Sequence, residues 1–281
     1  HYPLRRQRQM CIRDRDIDYT YNVRGWLTKI NNPDDNYSTT KLFAQELYYN
    51  TTGELVNLAD YAQHNGNIAG IRWRNNSTKR AAYAFTYDGL NRLKVGDYGY
   101  TTSSGSTNVT NSSYYDLSSV GYDKNGNISN LTRKTSTGGT KESLTYSYAG
   151  NQLSSLSGTY NGSSISGKTF AYDDNGNAKT DNLRGTTVQY FDEIDLPKKY
   201  TKGTQYAQYE YDAAGTKWSK TAVNSGTSTM EYYGSFIYQD GTLDRVLTSE
   251  GYYLVSSGKY HYNLKDHLGS TRMVVSYSGS V

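Results

Sequence analysis

Three residues near the end of the chain have the side-chain types of a hydrolytic triad: Asp266, His267 and Ser270. A triad needs side chains from separate elements that converge into one chain of hydrogen bonds. Residues one and three positions apart on a strand or turn do not converge in this way. Since His64 and His261 are the only other histidines after residue 15, no rival base or metal cluster appears, and the sequence predicts neither an enzyme nor a cofactor.

Two short acidic stretches have residue types that bind calcium. Residues 123–127 and 173–177 read Asp-Lys-Asn-Gly-Asn and Asp-Asp-Asn-Gly-Asn. A calcium loop also needs a longer loop and a distal bidentate glutamate, and both stretches lack these. Asp and Asn side chains bond nearby backbone amides, and Gly tolerates a positive φ. Turn capping is therefore the better interpretation, and no metal site is predicted.

The elements that must position these residues are hairpins. Phe170 and Tyr172 lie on one face of an extended strand, because side chains alternate along a strand with period two. The stretch Asp-Asp-Asn-Gly-Asn that follows has turn chemistry, and Asn-Gly between two extended runs is the strongest short-range hairpin signal. This unit therefore predicts a strand, a tight turn and a returning strand.

The same unit recurs with drift along most of the chain. Its clearest copies share a tyrosine followed by an aspartate, and in the last three a glycine stands three residues after the aspartate: Tyr87 and Asp88; Tyr122, Asp123 and Gly126; Tyr172, Asp173 and Gly176; and Tyr211, Asp212 and Gly215. A period of roughly twenty residues with variable insertions is typical of a repeat architecture. Helical periodicity is almost absent.

Tyr-Asp followed shortly by Gly-Asn or Gly-Arg resembles the YD repeat of the Rhs (rearrangement hot spot) family, over nearly all of residues 16–281. The end of the chain resembles the Rhs-associated core motif, in which Asp-His-Leu-Gly-Ser-x-Arg is characteristic. The matching residues are Asp266, His267, Leu268, Gly269, Ser270 and Arg272. Within this motif we expect Gly269 to form a tight turn and Arg272 to pair with Asp266.

This resemblance implies an all-β fold, in which repeated β-hairpins form a large curled antiparallel sheet that is part of a hollow shell. It implies the structural shell of a polymorphic toxin, which encapsulates and helps deliver its own C-terminal toxin domain. The expected location is secreted or at the bacterial cell surface, with secretion machinery as a further partner. The alternative is a cell-surface adhesion or carbohydrate-binding protein, whose partners would be cell-surface glycans.

The first 15 residues differ from the rest of the chain. They match no later strand or turn pattern and hold five Arg and one Asp. Residues 10–15 can be encoded by the transposon end that one common DNA-library preparation ligates onto fragments, so we interpret residues 1–15 as a non-native or disordered segment. The alternative is a solvated basic tail. The remaining chain has 25 basic and 25 acidic residues, so its charge predicts no nucleic-acid or anionic-membrane partner.

Composition sets further bounds. The chain has 31 tyrosines against five phenylalanines and three prolines, which is typical of a β-rich protein whose aromatic side chains keep a polar tip. The tyrosines either pack across strands, which we favour, or form a carbohydrate-binding surface. Cys11 is the one cysteine, so no disulfide framework is predicted. No apolar run approaches the roughly 18 residues of a membrane span.

The predicted organisation has three parts. Residues 1–15 are the non-native segment, residues 16–231 the YD-repeat sheet and residues 232–281 the core segment. The Thr, Ser, Gly and Asn-rich stretch 101–113 is predicted to be a flexible excursion. In the Rhs family the core normally continues to an Asp-Pro motif associated with self-cleavage and then to a variable domain, so we expect the core segment to be truncated.

Overall fold

A computed structural model describes residues 17–35, 41–51, 55, 62–75, 79–101 and 110–277. These residues form 23 β-strands and one short 3-10 helix, and every strand pairing described below is antiparallel. The predicted all-β fold built from hairpins is confirmed. The segment 1–15 and most of the stretch 101–113 lie outside the described residues, so both interpretations stay predictions. No described helix is long and apolar enough to cross a membrane.

The chain divides into two compact units. The first contains His1–Thr145, Gly158–Ser164 and Leu264–Met273, and the second contains Tyr146–Ser157, Ile165–Asn263 and Val274–Val281. This division differs from the sequence-based boundary at residue 231, which no observation tests. Five strands have residues in both units: β10 (Thr140–Ala149), β11 (Gln152–Tyr160), β12 (Ser163–Tyr172), β22 (Lys259–Lys265) and β23 (Thr271–Tyr277).

The first unit is a meander in which successive strands pair. Its strands are β1 (Tyr19–Tyr21), β2 (Leu27–Ile30), β3 (Phe43–Tyr48), β4 (Gly70–Asn75), β5 (Ala81–Tyr87), β6 (Leu93–Tyr100), β7 (Thr110–Asn111), β8 (Leu117–Tyr122) and β9 (Ile128–Lys134). Each of β1 to β6 pairs with the next strand along the chain, β6 also pairs with β8, and β8, β9 and β10 continue the order.

Side chains of β5 point alternately to the two faces of the sheet, and these two faces differ in the first unit. Ala82 and Ala84 are almost completely buried beside Tyr48 and Leu55. On the opposite face of β5, Tyr83 stands directly across from Tyr98 of β6, with ring centroids 5.2 Å apart. Cross-strand aromatic pairs of this kind stabilise a sheet.

The second unit is a longer run of hairpins. Its remaining strands are β13 (Ala178–Asp181), β14 (Thr186–Tyr190), β15 (Pro197–Lys202), β16 (Gln205–Tyr211), β17 (Lys217–Val223), β18 (Thr227–Tyr233), β19 (Phe236–Gln239), β20 (Thr242–Thr248) and β21 (Gly251–Leu254), and the 3-10 helix spans Val255–Ser257. From β12 to β22 each strand pairs with the next along the chain.

The two units bury very different amounts of apolar side chain. Among the described residues, the buried hydrophobic side chains lie in the first unit except for Leu156 and Ile237. Strand β15 of the second unit alternates strictly between half-buried and exposed residues. Backbone pairing and cross-strand side-chain contacts, rather than a thick core, therefore hold the second unit together.

Candidate functional site

The repeat motif folds into one turn geometry, seen most clearly at Asp173. The Asp173 amide donates to the Asn177 carbonyl at 3.0 Å, and the Gly176 amide donates back to the Asp173 carbonyl at 3.0 Å. The carboxylate Oδ1 of Asp173 accepts the amides of Asn175 and Asn177 at 3.1 and 2.8 Å. Gly176 has φ +86°. This is a three-residue hairpin loop, in which a turn is followed by one left-handed residue.

The same pair of backbone bonds and the same pair of side-chain bonds recur among the described residues. The first residues of these turns are Asn22, Asp88, Asp123, Asp173, Asp212 and Asp266. The left-handed position holds Gly in every copy except the second, where it is Asn91 with φ +62°. A residue with a β-carbon is strained at positive φ, and Asn tolerates it better than most.

Hydrogen bonds lower the pKa of four turn aspartates, Asp88, Asp123, Asp173 and Asp212, and so favour their ionised form. The side-chain amide of Asn127 and the backbone amides of Asn127 and Asn125 lower the pKa of Asp123. The backbone amide of Thr216 is the largest cause of the lowered pKa of Asp212. Because these oxygens already accept amide hydrogens, they are arranged as turn caps. Among the described residues, no group of three or more His, Cys, Asp or Glu is placed to hold a metal ion.

A lowered folded-state pKa makes stability depend on acid. An aspartate whose pKa falls below its unfolded value of about 3.9 stabilises the fold at neutral pH, and this contribution is lost as the pH falls through the folded pKa. Asp123→Asn keeps an acceptor oxygen, as Asn22 does in its own turn, but removes the titration. We expect its melting temperature to fall less than that of the wild type between neutral pH and about pH 3.

Asp174→Asn is the matched control, since it makes the same substitution in a YD turn at a side chain that makes no hydrogen bond among the described contacts. The capping role predicts a larger change in the acid profile for Asp123→Asn than for Asp174→Asn. Thermal unfolding by circular dichroism at several pH values measures this. Identical acid profiles for Asp123→Asn and the wild type would contradict the capping role.

In four of these turns, the residue before the aspartate is a tyrosine that bonds the neighbouring hairpin. Its hydroxyl donates to a carbonyl at the start of the strand that follows the preceding turn. Tyr87 donates to Ile68, Tyr122 to Leu93, Tyr172 to Leu153 and Tyr211 to Pro197, at 2.8, 2.7, 3.1 and 3.1 Å. Phenylalanine has no such donor, which gives a physical reason for the excess of tyrosine. The sequence predicted aromatic packing but did not show these acceptors.

We expect Tyr122→Phe to lower the free energy of unfolding by about 0.5–1.5 kcal/mol, the net contribution of one hydrogen bond. Tyr21→Phe is the control, because Tyr21 is 39% exposed and its hydroxyl makes no hydrogen bond among the described contacts. Urea unfolding of the two variants beside the wild type gives the difference. Equal midpoints for Tyr122→Phe and Tyr21→Phe would show that the bond contributes nothing.

Neighbouring turns of the first unit also contact one another directly. These contacts link the turns in series. Arg24 donates to the His64 carbonyl at 3.5 Å, Asn65 and Asn67 donate to the Asn91 side chain at 2.6 and 3.2 Å, and Arg92 donates to the Asp123 carbonyl at 3.3 Å. In the second unit, Asn177 donates to Asp195 at 2.6 Å in the same manner. In the first unit, these bonds join consecutive turns into a row.

The core motif contains another copy of the turn. The Asp266 carboxylate accepts the amides of Leu268 and Ser270 at 3.0 and 2.9 Å, and Gly269 has φ +81°. The backbone N–H of His267 donates to Gln45 Oε1 at 3.2 Å, and the ring Nδ1 lies 3.3 Å from the same oxygen. Burial lowers the pKa of His267. Among the described contacts, neither Asp266 nor Ser270 hydrogen-bonds the histidine ring.

The prediction that Arg272 pairs with Asp266 is wrong. The guanidinium of Arg272 lies 5.9 Å from the centre of the Trp73 ring, at cation–π distance. No ion pair between Arg272 and Asp266 occurs among the described residues. The guanidinium lies against an aromatic face instead, while Oδ1 of Asp266 accepts two backbone amides of its own turn.

A buried ion network in the first unit was missed by sequence reasoning. Arg72, whose side chain is 1% exposed, contacts Asp34 at 2.5 Å and Glu46 at 2.7 Å. Arg80 lies 3.1 Å from Asp34, and Lys29 lies 3.0 Å from Glu46. Burial raises the pKa of Glu46, but hydrogen bonds from Tyr48, Lys29 and Arg72 outweigh it and the net shift is downward. Arg72 and Arg74 are two residues apart in β4, which places both cations on one face of the sheet. This spacing could have indicated the network.

The family model described as the teneurin YD-shell matches residues 7–230. The chain belongs to the teneurin YD-shell family. Among curated proteins, none matches this sequence. The YD-shell chain also resembles solved structures. One is the crystal structure of TcdB2-TccC3, with 11% identity and a TM-score of 0.57, covering 93% of this chain and 15% of that chain.

A second solved structure similar to this YD-shell chain is the Photorhabdus luminescens Tc holotoxin pore. The identity is 12% and the TM-score 0.55, with 92% of this chain and 14% of that chain covered. At such identities the likeness shows the fold alone. The YD-shell chain spans only 15% and 14% of the lengths of these two structures.

Proposed function

We propose that this chain is part of the β-shell of an Rhs-type toxin, which encloses and helps deliver an effector carried by the full gene product. The observation that carries the proposal is the bonding between consecutive hairpins. Tyrosine hydroxyls at four hairpins and turn contacts at several places join a hairpin to its neighbour. Such units extend a sheet one after another, and the second unit does so with very little buried apolar core.

The similar solved structures support this choice of role, because one of them is a Tc holotoxin pore. On this basis we infer that the full protein acts outside the cell that makes it and associates with other toxin components. Its first partner would be its own effector segment, followed by secretion machinery. The role is structural, and we assign no reaction to the chain.

The test is protection of the effector within the full-length gene product. Limited proteolysis followed by mass spectrometry should show that the effector segment resists digestion while the shell is folded. The same segment, expressed alone, should be digested at once. Adding urea to the midpoint of shell unfolding should expose it in the full-length protein. Equal digestion rates with and without the folded shell would refute encapsulation.

An exposed aromatic group in the second unit favours a second candidate, glycan binding at the cell surface. Trp218, Tyr233 and Phe236 are 49%, 48% and 48% exposed. The rings of Trp218 and Tyr233 are 6.2 Å apart, and Tyr233 stands directly across from Phe236 on the next strand. Exposed rings on one sheet face can stack on sugars. A glycan array should then show binding that Trp218→Ala abolishes, whereas the shell role predicts no binding.

A further inference from the structure

A pocket of about 460 Å³ opens in the first unit. Its walls come from β5, the segment before β8, the ends of β9 and β10 with the turn between them, and the turn between β11 and β12. The lining residues are Tyr83, Tyr115, Arg133, Lys134, Thr135, Ser136, Lys141, Asn161 and Gly162. We call this the Tyr115 pocket. Its volume lies in the range of roughly 300–1,000 Å³ that small-molecule sites occupy.

The charge of the Tyr115 pocket has one sign. Three lining side chains are cations, namely Arg133, Lys134 and Lys141, and no carboxylate lines it. Arg133 is 2.7 Å from the carboxylate of Glu142, which offsets one charge, but the arginine side chain stays 46% exposed. Asp116 interacts electrostatically with Lys134 and offsets part of a second charge. Lys141 makes no ion pair among the described residues. The pocket therefore keeps a surplus of positive charge that an anionic ligand would neutralise.

The walls of the pocket are fixed by backbone hydrogen bonds. The Tyr115 amide donates to the Thr135 carbonyl at 2.9 Å, and the Gly162 amide donates to the Lys141 carbonyl at 2.9 Å. Tyr115 has φ +57° and its side chain is 48% exposed. Bulky residues at positive φ are strained and tend to occur at functional sites. The strained backbone of Tyr115 thus places an aromatic residue in the lining of a cationic pocket.

The remaining lining groups are neutral and polar. Thr135, Ser136 and Asn161 contribute hydroxyl and amide groups that can both donate and accept. The Tyr83 hydroxyl donates to the Tyr115 carbonyl at 2.9 Å. Burial raises the pKa of Tyr83 to about 12, so this phenol adds no negative charge at neutral pH. Hydroxyl-rich ligands match such a wall.

We propose that the Tyr115 pocket binds a phosphate or sulfate ester of a small saccharide. The tetrahedral anion would lie against Lys141, Lys134 and the exposed edge of Arg133, and the sugar ring would lie against Tyr115 with its hydroxyls bonded to Thr135, Ser136 and Asn161. Phosphate and sulfate esters share this chemistry, so the experiment separates them. The site does not depend on the shell role, because a shell without it would still enclose an effector.

The test is isothermal titration calorimetry of the folded chain with glucose 6-phosphate, glucose 6-sulfate, inorganic phosphate and glucose. We expect saturable binding of at least one ester, at least tenfold weaker binding of inorganic phosphate, and no binding of glucose. Whichever ester binds more tightly identifies the source of the anion. No binding of either ester, or inorganic phosphate binding as tightly as the esters, would overturn the proposal.

Variants place the binding in this pocket. Lys141→Gln should weaken ester binding about tenfold, since a charge-assisted hydrogen bond is lost. Lys124→Gln makes the same charge change in an exposed turn residue outside the lining, and it should leave affinity unchanged. Melting temperatures of both variants check that each is folded. Equal weakening by the two substitutions would show a nonspecific charge effect and reject the site.

Discussion

Arg72→Met is expected to destabilise the first unit by about 3–5 kcal/mol, because it removes the most buried member of an ion network. Asp34 and Glu46 each lose one cation, and of their other partners Arg80 and Lys29 remain. The Arg72 side chain is 1% exposed, and it is the cation that contacts both Asp34 and Glu46. Burial alone would lower the pKa of Arg72, but the neighbouring Tyr48, Asp34 and Glu46 raise it. The guanidinium therefore stays charged, and its loss leaves two carboxylates without their shared partner.

The matched control is Arg184→Met. Arg184 also contacts an aspartate, Asp181, at 2.6 Å, but its side chain is 58% exposed. A surface pair contributes only about 0–1 kcal/mol. Urea unfolding monitored by tryptophan fluorescence should therefore separate the two variants clearly. If Arg72→Met unfolded at the same urea concentration as Arg184→Met, the network would have to be open to solvent.

A double variant sharpens the same test. Replacing Glu46 with Gln in the Arg72→Met background removes the charge of one of the two carboxylates that lost their contact with Arg72. We expect part of the lost stability to return, because the penalty comes from uncompensated buried charge and not from the missing arginine alone. A further loss of stability in the double variant would contradict this account.

The YD turns were predictable from sequence because their chemistry is local. Asp123, Asn125 and Gly126 lie within four residues. The hydrogen bonds that define the turn join Asp123 to residues no further along the chain than Asn127. The turn type was less accessible. Asn-Gly forms a two-residue loop with two positive φ values at Asn161 and Gly162, but in the YD turns at Asp123 and Asp173 only the Gly is left-handed. The difference in loop length depends on the pairing register of the two flanking strands.

Long-range partners were not predictable in this way. The Tyr122 hydroxyl finds its acceptor 29 residues earlier in the chain, and Arg72 finds Asp34 across 38 residues. Those distances span insertions of variable length, so no fixed spacing marks the pairs. The incorrect prediction for Arg272 has the same origin, since its aromatic partner Trp73 lies in β4, far earlier in the chain.

Gly158→Ala should be the most damaging single-methyl insertion that we identify in the paired strands. Gly158 has φ +121°, and a β-carbon there would overlap the backbone carbonyl oxygen of Ser143. Strain at an unfavourable φ costs about 1–3 kcal/mol, and overpacking against an atom that cannot move costs about 1–3 kcal/mol more. The overlapped atom belongs to the backbone of β10, so a side-chain rotation cannot relieve the contact.

Gly162→Ala separates the two costs. Gly162 has φ +76°, but a β-carbon there would meet nothing within 4 Å. The free energy of unfolding lost in Gly162→Ala should therefore reflect backbone strain alone. The loss in Gly158→Ala should be larger by the overpacking cost of about 1–3 kcal/mol. Chemical unfolding of both variants measures the difference, and amide hydrogen exchange should show the loss of protection at Ser143 and its neighbours. Equal destabilisation by the two substitutions would mean that β10 moves away from β11 without cost, and the close pairing at Gly158 would then contribute nothing to the stability of the sheet.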